Sequence, residues 1–374
     1  MMRRAARFRL SVASCICLLA LLSFFGCGDN PTARKTYTYI LTSQQVDQPW
    51  ISSVAQFQVA DDGVLKPLSP PIVPLGNGAI SITASPDGRY FYALEDTLSQ
   101  GAYILTFLRF SINNDGTLAP NPVTSPGPSG GYPFTLSPDG KFAFVPWGNT
   151  ITSYSISTSG HFTLASTVPA GNNACTVAID PTGQFAFVGN FLDQTISEYR
   201  IGADGTLTPI STISSAPTWV YLLRFSPDGY LYSAGSGGVA LTQYSVDAST
   251  GALTELNHFA AGPNDEPFSF VFDPAGSYAY AANAGPGGYT VSSFIANSVT
   301  GSLRQNGPDV PSALAGLHTD EIAIDPAGHF VFWLQDSRVS QFRISGSGTL
   351  VQNGETSMVV GNGETSGAIA FVQR

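Results

Sequence analysis

His318, Asp320 and Glu321 set an imidazole beside two carboxylates. These are the residue types from which a general base and its orienting acid are drawn. A histidine in a polar loop is equally explained as a solvated side chain, and both readings stand at this point. His161 and His329 fall beside tight turns and His258 in an outer strand, so only His318 falls in a long connecting loop. Asn172 and Asn173 supply amides, and Trp219 supplies an indole. An aromatic face stacks on a sugar ring while amides bond its hydroxyls, so this set suits a small neutral ligand or a protein partner. Asp265 and Glu266, with Asp193, Glu95 and Asp96, form an acidic group. Carboxylates with loop carbonyls could hold Ca²⁺, but no ordered Asp-x-Asp-x-Asp loop is present. No second His or Cys stands at zinc-ligand spacing from His318, so no metal ligand set is assigned. Gly127-Pro128-Ser129-Gly130-Gly131 has the letters of a nucleophile elbow without the strand-to-helix setting that gives them meaning.

The elements that must position these groups repeat. An aromatic opens a strand that runs into a glycine turn and an apolar residue at Phe57, Phe110, Tyr154, Tyr199, Tyr244, Phe294 and Phe342. The interval is roughly 45 to 50 residues, the period of a solenoid, array or propeller. A second motif interleaves with the first, as in Ser85-Pro86-Asp87-Gly88, Asp180-Pro181-Thr182-Gly183 and Asp325-Pro326-Ala327-Gly328. Ser or Asp accepts a local backbone hydrogen bond, Pro presets φ, and Gly closes the turn. An alternating strand follows each copy, such as Tyr90-Phe91-Tyr92 or Phe330-Val331-Phe332.

Each unit therefore reads as strand a, Pro-Gly turn, strand b, a longer loop, strand c, Gly turn and strand d. Four antiparallel strands per unit define a propeller blade. The expected fold is all-β: a seven-bladed β-propeller whose blades are four-stranded and antiparallel. Tyr37 to Thr42 supplies a b strand with no a strand before it, and Gly367 to Val372 an a strand with no b strand after it. The two ends should complete one blade and leave no sheet edge open. The alternating aromatics are expected to fill the space between blades as core rather than to bind ligands. Both short turn classes fall on one face of the disc. The other face, with the longer connections, is the candidate working surface.

The first residues carry Arg3, Arg4, Arg7 and Arg9, then an uncharged apolar run from Leu10 to Phe25, then Gly26-Cys27. That pattern is an export signal. Its Phe24-Phe25-Gly26-Cys27 end resembles the lipobox of bacterial lipoproteins, which implies cleavage before Cys27 and lipidation of its thiol. The expected organisation is a signal over 1–26, a tether over 27–36 and the propeller over 37–374. Localisation would be extracytoplasmic, in the periplasm or at the cell surface, with membrane contact through the lipid anchor. Cys15 and Cys17 would leave with the signal, so no internal disulfide is expected once Cys27 is acylated.

The chain carries 16 Lys and Arg against 26 Asp and Glu, a formal net charge of −10, and the four leader arginines would make the exported part more acidic still. Nucleic acid is thereby an unlikely partner. A monomer is expected.

The Ser-Pro-Asp-Gly-x-aromatic strand, the b ends Val188-Gly189-Asn190 and Ala281-Ala282-Asn283, and the c strands closed by Asp-Gly or Thr-Gly together resemble the seven-bladed lactonase-like propellers, the family of 6-phosphogluconolactonase. The likeness runs from Tyr37 to Val372. It implies lactone hydrolysis, with a His and an Arg near the starts of adjacent inner strands. Those places correspond here to about Cys175 and Tyr221, neither of which can act as a base or a guanidinium clamp. The acidic working face would also repel a phosphorylated lactone. The sequence therefore favours a ligand- or partner-binding propeller, with a divergent lactone hydrolase using His318, Asp320 and Glu321 as the alternative.

Overall fold

The computed structural model describes residues 34–45, 50–99, 102–128, 130–215, 219–236, 241–260, 266–285, 288–311, 319–335, 338–357 and 364–374. Seven antiparallel sheets make seven blades. The innermost strands of blades 1 to 6 are Ala79–Ala84, Thr135–Leu136, Ala174–Ile179, Trp219–Phe225, Glu266–Phe272 and Thr319–Ile324. Blade 7 is built from both ends of the chain. Its innermost strand is Glu364–Gln373, followed outward by Thr36–Gln45, Trp50–Val59 and Leu65–Asn77. Lys35 and Arg374 exchange backbone hydrogen bonds of 2.7 and 2.9 Å, and the Arg374 guanidinium donates to the Gly88 carbonyl in the Pro-Gly turn of blade 1. The first strand begins at Thr36, just inside the expected tether.

The turn motifs behave as their chemistry dictates. Asp180 Oδ1 accepts the N–H groups of Gln184 and Phe185, each at 2.7 Å. In the Ser-Pro-Asp-Gly version Ser85 donates to Asp87 at 2.7 Å, and the Tyr90 N–H donates back to Ser85 Oγ at 2.9 Å. Hydrogen bonding and the neighbouring Arg89 hold the Asp87 carboxyl below its ordinary range, although partial burial opposes the shift.

The two motifs meet between blades. The first aromatic of each b strand lies on the glycine of the next blade's c–d turn, as Tyr37 lies on Gly116, Phe185 on Gly251, Tyr278 on Gly348 and, closing the circle, Phe330 on Gly63. Two residues further along the strand, Tyr39 and Tyr280 donate their hydroxyls to the carbonyls of Gly116 and Gly348 at 2.7 and 3.0 Å. In some blades the polar residue before the c-strand aromatic adds a clip. Gln56 Oε1 accepts the Leu118 N–H at 2.7 Å, and the fully buried Glu198 accepts that of Leu253 at 3.1 Å. Apolar side chains divide into seven clusters, one in each gap between neighbouring blades. Each buried aromatic contributes about 2 kcal/mol by leaving water. The alternating aromatics are core, as their periodicity implies.

One expectation needs correction. The b-to-c connections are not long: Trp147 and Thr150 are separated only by Gly148 and Asn149, and Asn190 and Thr195 by four residues. Their compactness has a local cause, since Asn190 Nδ2 donates to Thr195 and Ser197, both at 2.9 Å, and braces the hairpin from its base. The face opposite the Pro-Gly turns is therefore distinguished by side chains rather than loop length. Trp333 lies inside the strand Phe330–Gln335 and is fully buried.

Candidate functional site: the channel and its aromatic mouth

The innermost strands enclose a channel with a cavity of about 660 Å³, bounded by Cys175 and Tyr221 toward one face and by Pro86 and Pro138 toward the other. Its wall is stitched from blade to blade. Thr176 accepts the Leu223 N–H at 3.2 Å, Ser269 that of Ile322 at 3.2 Å, and Glu321 that of Ile369 at 2.9 Å. All three acceptors stand four residues before the first residue of a Pro-Gly turn. Glu321 thus does for the closing strand what a hydroxyl does elsewhere.

That placement bears on the proposed acid-base group. Glu321 turns into the channel, with Oε2 on Ile369 and Oε1 3.9 Å from Arg224 Nη2. Asp320 lies near the start of the strand Thr319–Ile324. His318, Asp265 and Cys27 lie outside the described residues. Among the described residues no three His, Cys, Asp or Glu side chains converge as a metal site.

Arg224 enters the channel from blade 4, at the register held elsewhere by Thr83, Thr135, Ala178, Val271 and Ala323. Burial lowers its pKa from the usual guanidinium range, and Glu321 opposes that shift. Its side chain keeps about a third of its area accessible, 35%. A second cavity leads from Arg224 and Glu321 toward the turn-face prolines Pro181, Pro227 and Pro274.

At the other end Tyr221 lines the cavity, and further aromatics lie beside it. Trp219 and Tyr221 expose 45% and 42% of their surface, large fractions for such side chains beside a cavity. Phe191 packs against both, with ring centroids 5.2 and 5.1 Å away. Across the inner strand of blade 3, Tyr132 lies 5.6 Å from the exposed Trp147 and donates its hydroxyl to Asn173 Oδ1 at 3.1 Å. Asn173 adopts φ 57°, a left-handed conformation that asparagine tolerates well, and its carbonyl accepts the Phe191 N–H at 2.9 Å. The Asn172 N–H donates to Asp193 at 2.7 Å, while the Asn172 residue is exposed. Glu266 is exposed at the start of the blade 5 inner strand.

Cys175 sits beneath this rim, and its thiol donates to the Val220 carbonyl at 3.2 Å. Burial pushes its pKa up to about 11. It is a neutral, bonded thiol at physiological pH and serves as neither base nor nucleophile.

The structure therefore brings Asn172, Asn173, Cys175, Trp219 and Tyr221 together and places Glu321 deeper in the same channel. Sequence reasoning missed Tyr132 and Phe191 as members of the rim. The available signal was Phe191 itself, a large apolar residue directly after the bracing Asn190, where blade 5 has Ala284 after Asn283.

A ring of seven four-stranded blades around an open channel is a β-propeller with its candidate site on the axis. The chain belongs to the family "Lactonase, 7-bladed beta-propeller", whose model matches residues 94–359. The fold is similar to that of the periplasmic gluconolactonase of Pseudomonas aeruginosa, with TM-score 0.71, 16% identity, and 91% of this chain and 98% of that chain covered. It is also similar to a provisionally assigned 6-phosphogluconolactonase of Bacteroides uniformis, with TM-score 0.70, 17% identity, and 90% and 99% covered. A more distant likeness is to Sqt1 of Chaetomium thermophilum bound to the N-terminus of ribosomal protein L10, with TM-score 0.59, 14% identity, and 85% and 83% covered. No curated protein matches the sequence significantly.

Proposed function

We propose that this propeller is a lipid-anchored, extracytoplasmic binding protein that takes a small sugar-like ligand at the aromatic mouth of its channel. The observation that carries the reading is the aromatic group of Trp219, Tyr221 and Phe191, of which Tyr221 lines the channel cavity, with Asn173 bonded to the Phe191 backbone beside it. Exposed rings give stacking area at low entropic cost, and the amides supply orientation. The sequence elsewhere buries its aromatics between blades, so their exposure here is a local exception.

Titration of the purified protein with neutral monosaccharides, followed by tryptophan fluorescence and calorimetry, tests this. Trp219→Ala should weaken binding about tenfold, the effect of removing one well-packed aromatic anchor. Saturable binding that ignores both Trp219→Ala and Tyr221→Ala would remove the mouth from the proposal. Family membership favours a second reading, hydrolysis of a neutral lactone with His318, Asp320 and Glu321 as the acid-base group. Acid release from glucono-1,5-lactone that is abolished by His318→Ala would put this reading first. For the anchor, fatty-acid labelling of the parent protein is expected to disappear in Cys27→Ser; an unlabelled parent protein would rule the anchor out.

A further inference from the structure

We infer that Arg224 forms a carboxylate-binding subsite in the channel, so that the ligand favoured there is a sugar acid: a pyranose held at the mouth with its carboxylate directed down the axis. This rests on the reading of the mouth as a sugar site and goes one step further, from the neutral ligand that the acidic face favours to one whose single carboxylate charge is offset by Arg224 within the channel.

Glu321 has a structural task that needs no arginine, since it accepts the Ile369 N–H as Thr176 and Ser269 accept those of Leu223 and Ile322. At the register of Arg224 the other inner strands of blades 1 to 6 carry Thr83, Thr135, Ala178, Val271 and Ala323. Small side chains therefore satisfy the ring geometry. Placing a guanidinium there takes charge out of bulk water, and a pair at 3.9 Å returns little of that cost because it lacks hydrogen-bond geometry.

Guanidinium is a planar fork of donors shaped for two carboxylate oxygens. Arg224 lines the same cavity as Tyr221, three residues earlier on one strand, a separation of roughly 10 Å at the usual rise. That gap is one that a sugar residue, its carboxylate and an extended arginine side chain together can bridge. Glu321 then acts as the resident competitor, partly neutralising Arg224 when the channel is empty.

The test uses D-glucuronate and D-glucose, which differ in a carboxylate against a hydroxymethyl group. Calorimetric titration of the whole exported protein is done at low salt and neutral pH. Wild-type protein should bind glucuronate more tightly than glucose, and Arg224→Gln should weaken glucuronate about tenfold, the effect of losing a charge-assisted pair. Glucose binding should not change. Glu321→Gln keeps an acceptor for Ile369 while removing the competing charge, and should strengthen glucuronate binding severalfold, a gain that a purely structural salt bridge would not produce. Melting curves of both variants confirm that the ring is intact. Glucuronate binding that is absent from the wild type, no tighter than glucose, or indifferent to Arg224→Gln would overturn the subsite. If glucose binding persists with its Trp219 dependence in that case, the mouth reading survives alone. If glucuronate binds through Arg224 while Trp219→Ala has no effect, the mouth reading fails and the subsite stands.

Discussion

Gly251 shows how much of this ring is decided by single atoms. Its φ is +81°, and a Cβ built on it would fall inside the Phe185 ring of the preceding blade. Replacing it with alanine imposes both left-handed backbone strain and displacement of a buried aromatic. Gly251→Ala is expected to destabilise the protein by about 2 kcal/mol or more, read as a lower denaturant midpoint at unchanged slope. Arg224 is the contrasting residue. Its position in the chain could be read from the repeat, but its surroundings could not, because they depend on Glu321 from a blade two sheets away. Cys175 and Tyr221 were likewise legible as places on inner strands. That one is a bonded, neutral thiol and the other part of an aromatic rim depended on contacts made across blades.

At the scale of strands and hairpins, the sequence was most readable where a local rule acts alone. Pro-Gly turns, glycine-closed c–d hairpins and alternating b strands follow from φ preferences and period-two burial, and each appears where its motif lies. The b-to-c hairpin of blade 3 was misjudged because its tightness comes from a side chain at the strand end, Asn190 reaching to Thr195 and Ser197, whereas Gly148, at φ 61°, turns the hairpin between Trp147 and Thr150. The docking of b-strand tyrosines on neighbouring hairpins has a pH consequence. Burial raises the Tyr39 and Tyr280 hydroxyls well above their ordinary 10.0. A raised folded-state pKa leaves stability complete below the unfolded value and removes it as pH climbs through the folded one. The contribution from these hydroxyls should be flat through neutral pH and decline above about pH 10, where the unfolded phenols begin to ionise. Urea unfolding at pH 8, 10 and 11, with phenolate absorbance of native and unfolded protein, checks the sign; stability rising over that interval would contradict it.

For the whole molecule, closure is the decisive contact. Thr36–Gln45 joins Glu364–Gln373 on one side and Trp50–Val59 on the other, so the ring is sealed by backbone hydrogen bonds from both ends of the chain. Glu321 adds a side-chain tie from blade 6 to the sealing strand at Ile369. Removing residues 367–374 would expose the edge of Thr36–Gln45 and uncover Ile40 and Tyr39, both fully buried. The truncated chain should melt well below the full one in a calorimetric scan, and equal melting temperatures would contradict this account of closure. Seven units and a shared blade were already visible in the spacing of the aromatics and in the unmatched strands at the two ends.

The seam between Lys35 and Arg374 also has an address, beside Gly88 in a Pro-Gly turn, on the side away from Trp219 and Tyr221. The first strand therefore starts, and the last one ends, on the turn face of the propeller. Tyr221 and Trp219 lie at the opposite end of the inner strands from that seam.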